Sequence, residues 1–227
     1  SAEHLAKVWK ISIEEARRTL DVTRKSLVHK PDPKLARNYG TNDRMLRYKH
    51  LDDCFFMDTL FATAKAGKSS RGNSCCQLFV TDKGFLDVIP LKSKKDVILA
   101  LKEFAKRIGV PEAIICDASG EQSSHNIRRF CQEIGTTLRY IEEGTPWANK
   151  AELYVGLVKS AVRKEMKAAN SPVAFWDYCI ERKVRIMNVT AKDRFNLKNT
   201  NAHTQLTSEE ADISNLCQYG WYEWCYY

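Results

Sequence analysis

Cys54-Phe55-Phe56-Met57-Asp58-Thr59-Leu60-Phe61 is a run of strand-forming residues broken by a single acid. An unpaired carboxylate buried in such a run costs several kcal/mol. Asp58 therefore lies at an exposed strand end, pairs with a lysine, or serves something other than packing. Working outward, a loop rich in Lys, Gly and Ser (Lys65 to Asn73) leads to two more strand patterns, Cys75 to Thr81 and Phe85 to Pro90. Asp82-Lys83-Gly84 between them is a hairpin signal. Ser93 caps a predicted helix to Ile108, with Val97, Ile98, Leu101, Phe104, Ala105 and Ile108 at helical spacing. After Gly109-Val110-Pro111, Ala113-Ile114-Ile115-Cys116 forms a fourth strand that runs into Asp117. A helix from about Ser123 to Ile134, a strand from Thr137 to Ile141 and helices over Asn149–Ala169 and Pro172–Val189 complete the pattern. Three consecutive strands followed by alternating helices and strands describe an α/β domain. Its mixed five-stranded sheet begins as an antiparallel meander and is flanked by helices.

The flanks have a different texture. Residues 3–20 read as two short helices, with Ser12 and Glu15 spaced as a capping box. Residues 1–29 form a small helical segment resembling a helix-turn-helix, though a plain helical hairpin docked on the core fits equally. Residues 30–50, with Pro31, Pro33 and Gly40, read as a linker or arm. The core spans 51–195, and 196–227 is read as a truncated carboxy-terminal extension. The chain reads as a piece of something longer.

At 227 residues, 44% hydrophobic and 28% charged, the composition suits a folded domain and excludes a disordered one. No apolar run is long enough to span a bilayer, so no membrane role is expected. The 8 cysteines are too sparse for a disulfide scaffold, and with no C-x-x-C or H-x-x-x-H no zinc site is expected. Adjacent Cys75 and Cys76 should point to opposite faces of a strand and pack. Net charge is +8, and residues 1–50 carry 12 Lys/Arg against 6 Asp/Glu. Such a balance suits a polyanion partner.

Asp117 repeats the anomaly of Asp58, an acid at the end of an apolar strand. For two such acids on neighbouring strands, a shared cation becomes the better explanation, because adjacent carboxylates repel unless a metal or proton compensates. Glu152 lies near the start of the next long helix, on a stripe with Gly156, Lys159 and Arg163. On its own that stripe looks like any solvated face.

Together the three acids are more specific. Asp58 to Asp117 leaves 58 residues between them and Asp117 to Glu152 leaves 34. Asp117-Ala-Ser-Gly-Glu121, Gly144-Thr-Pro-Trp-Ala-Asn-Lys-Ala-Glu152, the hairpin Phe79–Phe85, Phe175-Trp176 with Asn188, and Asn201–Leu216 extend the pattern. The chain resembles the catalytic core of copia-type retrotransposon and retroviral integrases, the Asp-Asp-Glu superfamily. That resemblance implies an RNase H-like fold in which Asp58, Asp117 and Glu152 are catalytic and hold two Mg²⁺ ions, with Mn²⁺ as a substitute. It implies 3′-end processing and strand transfer into double-stranded DNA, self-association, an origin in a Gag-Pol-type polyprotein, and nuclear action after a cytoplasmic particle stage. Asn149, Lys150, Lys159 and Arg163 would contact DNA. The family's amino-terminal His-His-Cys-Cys module has no counterpart in residues 1–50, and Ala118 and Gln122 depart from its usual residues. A nuclease that only hydrolyses, or an inactive DNA-binding remnant, would share the same acids.

Overall fold

The structure, a computed structural model, describes residues 1–25, 48–63, 65–117, 124–141, 150–193 and 200–224. In chain order its elements are α1 (Ala2–Trp9), α2 (Ile13–Asp21), β1 (Thr23–Arg24), β2 (His50–Phe61), β3 (Cys75–Thr81) and β4 (Leu86–Leu91). Then come α3 (Val97–Arg107), β5 (Val110–Asp117), α4 (His125–Ile134), β6 (Thr137–Ile141), α5 (Lys150–Ala168) and α6 (Trp176–Val189). The chain closes with α7 (Ala202–Thr207), β7 (Ala211–Asp212) and α8 (Ser214–Cys217). Short 3₁₀ turns at Lys94–Asp96 and Val173–Phe175 lead into α3 and α6, so α3 starts later than the Ser93 cap implies.

The main sheet has the order β4-β3-β2-β5-β6, with the first three strands antiparallel and β5 and β6 parallel to β2. Its period-2 alternation builds two cores. Phe55, Met57, Phe79 and Ile114 face α3 and α4, where Phe104 stacks on Phe79 at 4.3 Å between ring centroids. Phe56, Leu60, Leu78 and Val80 face α5 and α6, meeting Ala151, Tyr154, Val158 and Ile180. β3 is buried at every position because helices cover both its faces. Cys75 belongs to the first core and Cys76 to the second, as the strand alternation requires. Burial pushes both thiols up, and Cys116 up to about 12, which keeps them protonated and unreactive.

Gly109 sits where α3 turns into β5. Its φ is 143°, and a Cβ there would lie 2.6 Å from the Lys49 carbonyl oxygen. Only glycine allows this approach, which brings the Val110 N–H to Lys49 O at 2.7 Å and starts the parallel pairing of β5 with β2.

The amino-terminal hairpin is docked on the chain's own core. The expected capping box forms, with the Glu15 N–H donating to Ser12 Oγ at 3.2 Å and the Ser12 N–H to Glu15 Oε2 at 3.1 Å. Leu5, Val8, Trp9 and Ala16 share a third apolar cluster with Ile186 and Val189 of α6 and with Ala211, Ile213 and Cys217. β1 pairs in parallel with β7, a two-residue link that residue patterning does not show. The apolar side of both helices is thus occupied within the chain.

A buried ion cluster fastens this junction. Glu165 of α5, 2% exposed, accepts from Lys183 Nζ at 2.9 Å, and Lys10 Nζ lies 3.6 Å away. Lys183 also donates to the Trp9 carbonyl at 3.1 Å, so one cluster joins α1, α5 and α6. Elsewhere, Asn188 clamps the edge strand β4. Its Oδ1 accepts from the Leu86 N–H at 2.8 Å and its Nδ2 donates to the Leu86 carbonyl at 2.7 Å. Asp177, at the start of α6, collects Ser69 Oγ, Arg71 Nε and Asn73 Nδ2 on one oxygen and so pins the loop after β2. Burial pushes the Asp177 carboxyl up, but these donors outweigh it and hold it below the usual carboxylate range.

Candidate active site

Met57 of β2 pairs with Cys116 of β5 in parallel register, so the next residues, Asp58 and Asp117, are level on adjacent strands. Asp58 lies in the Phe56–Leu60 row and Asp117 follows Ile115, and both rows face α5 and α6. Over that face stands the first turn of α5, where buried Ala151 and Tyr154 seat the helix on the sheet. Glu152 is next to Ala151 and exposed, and its position in the first turn suits the helix dipole.

Asp58 is half-buried, Asp117 exposed. The Thr59 N–H donates to Asp58 Oδ1 at 2.6 Å. Burial raises the Asp58 carboxyl above the usual range, and the Thr59 hydrogen bond opposes that rise. The negative charges of Asp117 and Glu152 raise it further, while Lys159 lowers it. Three of the charged groups expected at this site, Asp117, Glu152 and Lys159, therefore act on the Asp58 carboxylate. Among the described residues no three His, Cys, Asp or Glu side chains stand close enough to hold an ion.

The expected DNA contacts divide. Lys159 and Arg163 follow Glu152 along α5 and both line a groove that opens beside it. Lys150 instead forms an ion pair with Asp82 of the β3–β4 turn and sits 5.6 Å from the Phe56 ring centroid. That turn lies 68 residues away in sequence, which is why spacing alone placed Lys150 with the DNA contacts. Asn149 lies outside the described residues, as do 118–123, which follow the second acid, and 142–148. Lys65 and Lys167 share the groove with Lys159; Lys167 follows Arg163 by four residues on the same face of α5, whereas Lys65 lies after β2 and outside any helical stripe.

No protein-family profile and no curated protein matches the chain. Solved structures do match. One is a chain of the cryo-EM structure of the simian T-cell lymphotropic virus intasome in complex with PP2A regulatory subunit B56 gamma. It has a TM-score of 0.56 and 14% identity, covering 68% of this chain and 54% of that one. The chain thus spans about half the length of that relative. Another is the HTLV-2 integrase catalytic core domain in complex with magnesium. Its trimeric form gives a TM-score of 0.52 and 16% identity over 68% of this chain and 95% of that one. Its dimeric form gives 0.50 and 16% over 67% and 94%. The chain has the α/β fold of integrase catalytic cores, a mixed five-stranded sheet flanked by helices.

Proposed function

We propose that this chain is the catalytic core of a DNA integrase of the copia retrotransposon type, a polynucleotidyl transferase whose Asp58, Asp117 and Glu152 form the reactive site. The observation that carries this reading is the electrostatic meeting of all three acids at Asp58, on level positions of two parallel strands and under the start of α5. Three hard carboxylates are the donor set that Mg²⁺ prefers, and burial, followed by the negative charges of Asp117 and Glu152, raises the Asp58 carboxyl. A pair of divalent ions held there would supply Lewis-acid activation of the attacking oxygen and stabilisation of the leaving one. The chain's own residues do the rest. The Thr59 N–H holds the Asp58 carboxylate in place, the sheet keeps Asp58 and Asp117 level, and Lys159 offers a phosphate a cation beside the acids. The two DNA forms in the reaction are the element end and the target duplex, and the site of action is the nucleus.

DNA binding along α5 is tested by salt dependence. Lys159→Ala and Arg163→Ala should each flatten the slope of log affinity against log salt by about one. Parental slopes in both variants would mean that this stripe is merely solvated.

Gly156 gives an independent test. It sits within α5, where glycine costs about 0.5–1 kcal/mol relative to alanine. A Cβ there would meet nothing within 4 Å, so the fold does not require glycine. It shares the stripe of Glu152 and Lys159, where a small residue lets a DNA backbone come close. Gly156→Ala should therefore raise thermal stability by about 0.5–1 kcal/mol and weaken DNA binding. A stabilised variant with unchanged DNA affinity would remove the helix surface at Gly156 from the substrate path.

A further inference from the structure

Gln77 of β3 is fully buried, in the row of Cys75 and Phe79 that faces α3 and α4. It lies directly opposite Thr59 of β2, itself 8% exposed and in the row of Phe55 and Met57. The Thr59 hydroxyl donates to Gln77 Oε1 at 2.9 Å, while Gln77 Nε2 has no acceptor among the described residues. The bond gained is thus offset by a buried donor left unpaired, and two apolar residues of the same shape would cost the fold nothing. Stability alone does not account for a polar pair at this position.

Its place beside the first acid supplies the reason. Thr59 follows Asp58, and its backbone N–H donates to Asp58 Oδ1 at 2.6 Å. β2 makes its last pair with β5 at Met57 and Cys116, so among the described residues Asp58 to Phe61 are laddered to β3 alone. The direction of the Thr59 N–H then depends on how firmly Thr59 is fixed to β3, and the hydroxyl–amide bond adds a side-chain tie to the backbone ladder. Resting on the integrase reading, we propose that Gln77 and the Thr59 hydroxyl are positioning residues, which aim the Thr59 N–H and so hold the Asp58 carboxylate ready for a divalent ion. Both side chains lie on the α3 and α4 side of the sheet, whereas Asp58 lies on the α5 and α6 side, so neither touches the ion or the DNA. Supporting partners of this kind order a metal-binding carboxylate before the ion arrives, and their loss weakens metal binding by about tenfold to a hundredfold.

The test is Mn²⁺ binding to the full chain by electron paramagnetic resonance, without DNA, beside a metal-free thermal melt. Gln77→Met, alone and combined with Thr59→Val, replaces the polar atoms by apolar ones of similar shape. Both proteins should bind Mn²⁺ about tenfold or more weaker than the parent. The double variant should nevertheless melt at or above the parent's temperature, since no buried polar atom of the pair is left without a partner. Thr59→Ser keeps the hydroxyl and should hold Mn²⁺ within about twofold of the parent. Parental Mn²⁺ affinity in the folded double variant overturns the proposal and makes the pair core filling. Should the double variant fail to fold, Gln77→Met alone decides by the same criterion. Equal weakening by Thr59→Ser also overturns it, because the effect would then follow side-chain shape rather than the hydroxyl. If Asp58→Asn weakens Mn²⁺ binding while the double variant does not, only the positioning role falls. If the parent binds Mn²⁺ no better than Asp58→Asn, the reading of the reactive site falls and the positioning role with it.

Discussion

Asp58→Asn is expected to stabilise the metal-free protein at neutral pH while abolishing Mg²⁺-dependent chemistry on DNA. Burial and the charges of Asp117 and Glu152 raise the Asp58 carboxyl in the folded state. A carboxyl raised on folding contributes its stability fully below its unfolded value and loses it as pH rises through the folded value. At neutral pH the ionised Asp58 is therefore a net cost, which asparagine removes. The gain in melting temperature should be largest near pH 7 and fade on acidification through the carboxylate range. Asp117→Asn should lose the chemistry as well. For both, strand transfer should fall by roughly three orders of magnitude or more, several kcal/mol of transition-state stabilisation. Thermal melts from pH 4 to 8 with and without MgCl₂ check the stability half. Mg²⁺ should raise the parent's melting temperature and leave that of Asp58→Asn unchanged. A loss of stability in Asp58→Asn at pH 7 would instead mark Asp58 as a structural ion-pair partner.

Glu165→Ala is expected to destabilise the chain by about 3–5 kcal/mol, because it strands a buried lysine charge. Lys183 is 9% exposed and loses its partner at 2.9 Å, while Lys10 and Arg182 lose a shared anion. The effect should spread to the amino-terminal hairpin, since Lys183 also holds the Trp9 carbonyl. Replacing both charges, Glu165→Leu with Lys183→Met, should recover most of the loss, because no unpaired ion remains. Urea unfolding of the three proteins measures this directly. A single variant within 1 kcal/mol of the parent, as about the size of an exposed pair, would show that the cluster is solvated rather than buried.

What the residues made legible follows from how locally each feature is determined. β2, β3 and β5 declare themselves as apolar runs because both faces of the sheet are covered, and α3 by its helical spacing. The Ser12–Glu15 cap is a four-residue signal and is there. Asp58 and Asp117 stood out because acids in apolar strands are costly, and their common register follows from the parallel pairing of two short runs. Other features depend on partners far along the chain. Glu165 reads as an ordinary helix charge until α6 and α1 close over it. The partners of Asn188 and Lys150 sit on the β3–β4 hairpin, which no periodicity connects to either helix. β1 and β7 have two residues each, too short for any strand pattern, and pair only because the two ends of the chain meet beside α6.

The most direct measurement is a strand-transfer assay of the parent chain with a labelled duplex end, plasmid target and Mg²⁺. The expected result is trimmed ends and joined products that need the divalent ion and vanish in Asp58→Asn, Asp117→Asn and Glu152→Gln. Cleavage without joining would make this a nuclease core, and DNA binding without either product a remnant. Products that persist in any of the three variants would contradict the site itself.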